Sequence, residues 1–152
     1  MTVLASVVAL VLSYGAAWFA PVQTNPPPAA PAAPSAPTLD FQYFKDRVEP
    51  IFLHKRKGLA RCYVCHSQGT PFRLQALAPG ASAWSEEESR KNFEAARRLV
   101  NAANPTMTPL LRMPLAAEAG GIAFHPGGKH WTSKDDPEFQ TMAAWVTGAA
   151  SR

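Results

Sequence analysis

The stretch Arg61-Cys62-Tyr63-Val64-Cys65-His66 contains both of the chain's cysteines, separated by two residues and followed directly by a histidine. This C-x-x-C-H spacing is the attachment pattern of c-type haem. Two thiols on one helical turn can bond to neighbouring vinyl groups at the porphyrin edge, and the adjacent imidazole then reaches the iron. The motif predicts one haem c, covalently bound through Cys62 and Cys65, with His66 as an iron ligand.

Three other uses of the two cysteines compete with haem attachment. A structural zinc site needs four ligands, and here the remaining ligands would have to come from scattered histidines. A thioredoxin-type dithiol needs a βαβ context, and the sequence contains no convincing strand pattern. A disulfide across this short loop is the third possibility. The helices predicted around the motif, and an apolar N-terminal segment typical of exported proteins, favour haem over these alternatives.

The segment before the motif predicts an amphipathic helix that Asp40 caps. Its apolar residues recur every three or four positions, and charged residues occupy the other side. Pro50 is expected to bend or end this helix, because proline lacks the amide hydrogen and clashes with the preceding turn. The apolar positions are Phe41, Phe44, Val48 and Ile51.

Two further helices are predicted after the motif. Ser85 and Glu88 form a capping box for the second helix, which should end before Asn104-Pro105. Asp136 is expected to cap the last helix, and Gly148 to stop it. Glycine and proline are dense between these helices, and no run alternates as a strand would. The sequence therefore predicts an all-α domain with long loops that need something to pack against.

The N-terminal quarter of the chain has a different composition. No charged residue precedes Asp40, and seven of the fifteen prolines lie between Pro21 and Pro37. The apolar run up to Ala20 has the length of a membrane-spanning helix, and it lacks the positive start of a cleavable signal, which remains the alternative. We expect a transmembrane anchor at residues 1–22, a Pro/Ala-rich tether at 23–38, and one small domain with a single haem at 39–152.

The formal net charge of +4 belongs entirely to the predicted domain. Nucleic-acid binders usually spread basic residues along a face with aromatic residues between them, whereas the basic run here is short. We therefore expect a solvated face and no nucleic-acid partner. The run consists of Lys55, Arg56, Lys57 and Arg61.

With these features the chain resembles the class I c-type cytochromes over residues 39–148, and more closely the exported bacterial monohaem cytochromes. The resemblance implies an all-α class I-like fold in which the first and last helices pack together and a late loop supplies the distal iron ligand. The segments that carry it, besides C-x-x-C-H, are Arg47-Val48-Glu49-Pro50-Ile51-Phe52, Leu110-Leu111-Arg112-Met113-Pro114-Leu115, Gly120-Gly121, His125-x-Gly127-Gly128-Lys129 and Trp145-Val146.

Two residues compete to be the distal ligand. Class I cytochromes often use a methionine followed by proline, which Met113-Pro114 matches. His125 lies 11 residues before Asp136, whereas Met113 lies 23 before it, and the shorter spacing is nearer the class I arrangement. Its glycine-flanked loop also lets the backbone approach a flat macrocycle. We expect His66 and His125 to bind the iron, with Met113 as the alternative. Residues expected near the haem propionates are Arg112, Lys129, His130 and Trp131.

These features predict a membrane-anchored periplasmic cytochrome that transfers single electrons to or within a membrane redox complex, respiratory or photosynthetic. It would perform no bond chemistry and so would not be an enzyme. Two alternatives stay open at this point. One is a haem subunit with a mainly structural role in such a complex. The other is a haem enzyme or gas sensor with an open distal position.

Overall fold

The computed structural model describes residues 37–151, and in this part of the chain the regular structure is helical. It contains no β-strand, only an isolated bridge between Leu115 and Trp131. The predicted all-α class is confirmed for these residues. The helices are α1 (Phe41–Tyr43), a π-helical turn (Phe44–Val48), α2 (Glu49–Leu53), α3 (Cys62–His66), α4 (Glu86–Arg97), α5 (Pro109–Arg112) and α6 (Pro137–Val146), with 3₁₀ turns at Pro105–Met107, Ala117–Ala119 and Ala149–Ser151.

The predicted anchor at residues 1–22 and nearly all of the predicted tether at 23–38 lie outside the described residues. Between residues 37 and 151, no helix is both long and apolar enough to cross a membrane. The last two tether residues, Pro37 and Thr38, lie beside Gly148. The Cβ atom of Pro37 is 3.2 Å from the position that a Cβ atom on Gly148 would take. The chain therefore enters the folded domain beside the end of its last helix.

The first helix, formed by α1, the π-helical turn and α2, continues to Leu53. Pro50 was expected to bend or end this helix, and it does not end it. An α-helical proline clashes with the carbonyl four residues earlier. Here the preceding turn widens, so that the Glu49 amide donates to the Phe44 carbonyl five residues back. This wider turn accommodates Pro50 in the first turn of α2 without a break in the helix.

The first helix and the two later helices begin where they were predicted to begin. The Asp40 side chain accepts a hydrogen bond from the Tyr43 amide at 2.5 Å. Ser85 and Glu88 form a reciprocal capping box at α4. Asp136 caps α6, and Gly148, with φ +71°, follows its end in the left-handed conformation that glycine favours. Short polar side chains thus set three helix starts, and local sequence is sufficient to find them.

The core forms where the first helix packs against α4 and α6. The Phe44 ring lies 5.5 Å from Phe93 and 5.0 Å from Trp145, between ring centroids. The Trp145 indole nitrogen donates to the Asp40 carbonyl at 3.0 Å, which joins the last helix to the start of the first. The pairing of first and last helices is the one that the resemblance implied. The motif helix α3 is held at the side of this core, where Cys62 and Tyr63 pack against it.

Replacing Phe44 by alanine should lower the free energy of unfolding by about 3–5 kcal/mol, because the ring is 0% exposed and leaves a cavity between three helices. Phe41 is the matched control, since its ring is only half-buried and touches Phe93 from the edge of the core. Phe41→Ala should cost clearly less. Unfolding in guanidinium chloride, followed by circular dichroism, measures both, and equal losses would contradict the packing described.

Candidate functional site

The motif helix α3 presents its two cysteines differently. Cys62 is partly buried against the core, whereas Cys65 is exposed, and the two thiols are not joined in a disulfide. Burial raises the pKa of the Cys62 thiol to about 11, so that it is protonated at neutral pH. In residues 37–151 no cluster of three or more His, Cys, Asp or Glu side chains is assembled as a metal site.

The His66 imidazole is fixed through its Nδ1 atom. This nitrogen lies 2.9 Å from the Phe72 carbonyl oxygen and 2.8 Å from the Thr70 hydroxyl oxygen. A carbonyl only accepts hydrogen bonds, so Nδ1 carries the hydrogen and the lone pair is on Nε2. Burial lowers the pKa of His66, which favours the neutral ring. A neutral imidazole with Nδ1 bonded to a carbonyl is the form that binds metals.

The His125 imidazole is fixed in the same way. Its Nδ1 atom lies 2.7 Å from the Gly128 carbonyl oxygen, which again leaves the lone pair on Nε2. The turn that brings this carbonyl back needs glycines. Gly128 has φ +83°, and a Cβ atom on Gly127 would lie 3.2 Å from the ring carbon Cε1 of His125. The His-x-Gly-Gly sequence therefore lets the backbone turn pack closely against the His125 ring.

The structure brings these two rings together, although 58 residues separate them in the chain. Their centroids are 6.3 Å apart and their planes differ by 20°. An imidazole nitrogen binds a first-row metal at about 2 Å, and with the ring centre about 1 Å further on, two rings in line on one ion lie roughly 6 Å apart. The separation of His66 and His125 matches this distance. No described residue hydrogen-bonds the Nε2 atom of either ring.

The loop that carries His125 is closed at its base beside Leu115 and Trp131. The Ala116 amide donates to the Trp131 carbonyl, and the His130 amide donates to the Pro114 carbonyl, both at 2.8 Å. The loop also folds tightly on itself, because a Cβ atom on Gly121 would lie only 2.0 Å from the Leu115 oxygen. These contacts explain why the glycines of the late sequence signature stand where they do.

Met113, the alternative ligand, lies at the end of α5. Its side chain is half-buried, and its carbonyl accepts a hydrogen bond from Lys129 Nζ at 3.0 Å. Lys129 also donates to the Ile122 carbonyl, so it braces the loop. Of the two candidate distal ligands, His125 is the one with a ring contact to His66.

Of the residues expected near haem propionates, Trp131 has a buried N–H group without a hydrogen-bond partner among the described residues. Arg112 Nε donates to the Gly120 carbonyl at 3.1 Å, and Lys129 Nζ donates to the Met113 and Ile122 carbonyls. Trp131 is 2% exposed, and its indole nitrogen has no hydrogen-bond partner in the part of the chain that the structure describes. A buried donor left unpaired costs about 1–3 kcal/mol. The unpaired N–H group therefore calls for an acceptor, such as a carboxylate.

The sequence analysis missed an ion-pair cluster beside Cys62. Arg56 was expected to be part of a solvated face, but its guanidinium binds Asp136 at 3.2 Å and Glu138 at 2.6 Å. His54 also contacts Glu138. The cluster links the segment after the first helix to the start of α6. Sequence spacing gave no signal for it because the partners lie about 80 residues apart. The neighbouring Lys55, Lys57 and Arg61 are exposed, as predicted.

Comparison with known proteins adds no assignment, since no family model, curated protein or solved structure matches the chain.

Gly121→Ala should destabilise the protein by about 3 kcal/mol or more, because its methyl group would overlap the Leu115 carbonyl and force the loop backbone apart. Gly80 is the control: it has φ +80° and no atom within 4 Å of an added Cβ. Gly80→Ala should cost only the left-handed strain of about 1 kcal/mol. Denaturant unfolding compares the two, and equal costs would refute the close approach at Gly121.

Proposed function

We propose that the protein is a membrane-anchored, periplasmic monohaem c-type cytochrome that transfers single electrons to or within a membrane redox complex. Cys62 and Cys65 would form the thioether bonds, and His66 and His125 would be the axial ligands of the iron. The observation that carries the proposal is the pair of nearly parallel imidazole rings, 6.3 Å apart between centroids, one of them on the motif helix. The function is electron transfer and not catalysis of a reaction on a substrate.

The donor set fits this cofactor in chemistry as well as spacing. Both rings are held as Nδ1–H tautomers by backbone carbonyls, which leaves two Nε2 lone pairs for a metal. The buried Trp131 N–H group can donate to a carboxylate, and propionates are carboxylates. Two thiols, three positions apart on one helical turn, complete the set.

When bound, the haem would supply a one-electron iron couple. The chain's own residues would hold that couple with little rearrangement. The Phe72 and Gly128 carbonyls keep the two imidazoles from rotating. Phe72 also packs on the His66 ring at 4.9 Å between centroids and excludes water from that side. A rigid, dry site changes little when the charge changes, and this favours fast electron transfer.

Anchoring rests on the apolar, uncharged run that ends at Ala20 and on the proline-rich stretch after it. In a polyproline II conformation, the sixteen residues from 23 to 38 would reach about 50 Å at about 3.1 Å per residue. Such a tether would keep the domain near the membrane and its redox partners.

The first test is covalent attachment. Protein produced with a cytochrome c maturation system should give a c-type pyridine haemochrome spectrum and keep its haem on a denaturing gel. Replacing both Cys62 and Cys65 by alanine should abolish attachment and destabilise the domain, because so small a core depends on its cofactor. Val64→Ala is the matched control, as its side chain is a 39% exposed spacer within the motif. A wild type without covalent haem would refute the proposal.

The second test identifies the distal ligand. His125→Ala should open the iron, giving a high-spin spectrum and rapid cyanide binding, whereas Met113→Ala should only disturb packing. The wild type should have a lower reduction potential than a His/Met site, since imidazole stabilises ferric iron better than a thioether does. Because the ring planes differ by only 20°, both imidazoles act on the same iron orbitals, and a rhombic low-spin electron paramagnetic resonance spectrum is expected.

A far-red sulfur-to-iron charge-transfer band in the oxidised wild type would contradict this assignment. It would do so decisively if the band were lost in Met113→Ala and kept in His125→Ala.

A further inference from the structure

Three polar side chains lie in the core between the first helix and α4. Glu49 is 5% exposed, and Ser89 and Asn92 are 0% exposed. The Glu49 carboxylate accepts hydrogen bonds from the Ser89 hydroxyl at 2.7 Å and from the Asn92 amide nitrogen at 3.2 Å. Apolar residues of similar size would fill this space at lower desolvation cost. The trio therefore needs a reason other than stability.

Asn92 connects this trio to the loop after the haem motif. Its Oδ1 atom accepts a hydrogen bond from the backbone amide of Gln75 at 2.7 Å. A backbone amide needs an acceptor and a carboxylate needs a donor, so only one orientation of the Asn92 side chain satisfies both neighbours. Glu49 thus fixes which way the amide of Asn92 faces. Ser89 helps to hold Glu49 but has no described hydrogen bond to the loop.

Gln75 is held from its other side by the indole of Trp84. The Trp84 nitrogen donates to the Gln75 carbonyl at 2.9 Å, and its ring packs edge-on against Tyr63 within the motif, 6.2 Å between centroids. Both polar groups of the Gln75 backbone are therefore anchored by side chains from buried positions. This residue is a fixed point for the loop.

The loop between this fixed point and the motif carries the acceptor for the His66 ring. The Leu74 amide donates to the His66 carbonyl at 2.9 Å, and the Phe72 carbonyl accepts from His66 Nδ1 at 2.9 Å. Only two residues separate Phe72 from Gln75. A displacement of Gln75 would therefore change the length or angle of the hydrogen bond at Nδ1.

We propose that Asn92, oriented by Glu49, is a positioning residue that holds the Phe72 carbonyl on the His66 imidazole and thereby helps to set the reduction potential of the site. The inference rests on the proposed function. A carbonyl bonded to Nδ1–H makes the imidazole a stronger donor to the metal, and a stronger donor stabilises the ferric state. Loosening that bond weakens the donor and raises the potential.

The experiment compares Asn92→Ala with Ser89→Ala in full-length holoprotein. Both variants remove one hydrogen bond from Glu49, and both should lower the unfolding midpoint. Only Asn92→Ala also removes the acceptor of the Gln75 backbone N–H group. It should shift the midpoint potential upward and accelerate hydrogen exchange at the Leu74 amide, while Ser89→Ala should leave both at wild-type values. Equal potential shifts in the two variants, or none in either, would overturn the proposal.

A second variant covers the case in which Asn92→Ala does not fold. Trp84→Phe keeps an aromatic ring against Tyr63 but removes the hydrogen bond to the Gln75 carbonyl. It should raise the potential in the same direction by a smaller amount, and an unchanged potential would overturn the proposal.

Haem content is measured first in each sample by pyridine haemochrome. A wild type without haem refutes the proposed function itself, whereas haem-loaded variants with an unshifted potential refute only the role of Asn92.

Discussion

The hydrogen bond from a histidine Nδ1 atom to a backbone carbonyl is the constraint on which this site depends, and the structure makes it twice. One bond joins His66 to Phe72, and the other joins His125 to Gly128. Each bond fixes the tautomer and the rotation of its ring. Without these bonds, the two rings, whose centroids lie 6.3 Å apart, would be free to rotate.

The helical core positions the two segments that carry these bonds. Aromatic side chains from the first helix, α4 and α6 make a compact centre, and α3 is attached at its side. The chain after α3 returns to the core through Phe72 and Leu74, which are buried. The chain after α5 returns through Leu115 and Trp131, also buried. Rigid packing at these four points limits where the imidazoles can lie.

Local chemistry made part of this structure predictable from sequence. The helix starts at Asp40, Ser85 and Asp136 follow from side chains that bond amides two or three residues away. That the first helix continues past Pro50 could not be decided from sequence, because the proline rule says nothing about a π-helical turn that widens to accept the ring. Long-range contacts were less accessible: the ion pairs of Arg56 and the trio around Asn92 join residues about 40 to 80 positions apart. The proposed haem ligands were found because C-x-x-C-H and His-x-Gly-Gly are local patterns, whereas the unpaired Trp131 N–H group emerges only from packing.

The closure of the His125 loop at Leu115 and Trp131 would give the two proposed ligands different lifetimes on a bound metal. A segment joined to the core by a few hydrogen bonds at its base can open as a unit while the helices stay folded. His66 follows directly after a cysteine that would be covalently attached, so it could not drift away during such an event. His125 could leave and return with its whole loop, and the length of chain that is freed makes return fast, since closing a short loop costs little entropy. Ligand exchange in this protein would then be one-sided and reversible, with the distal arm as the moving part.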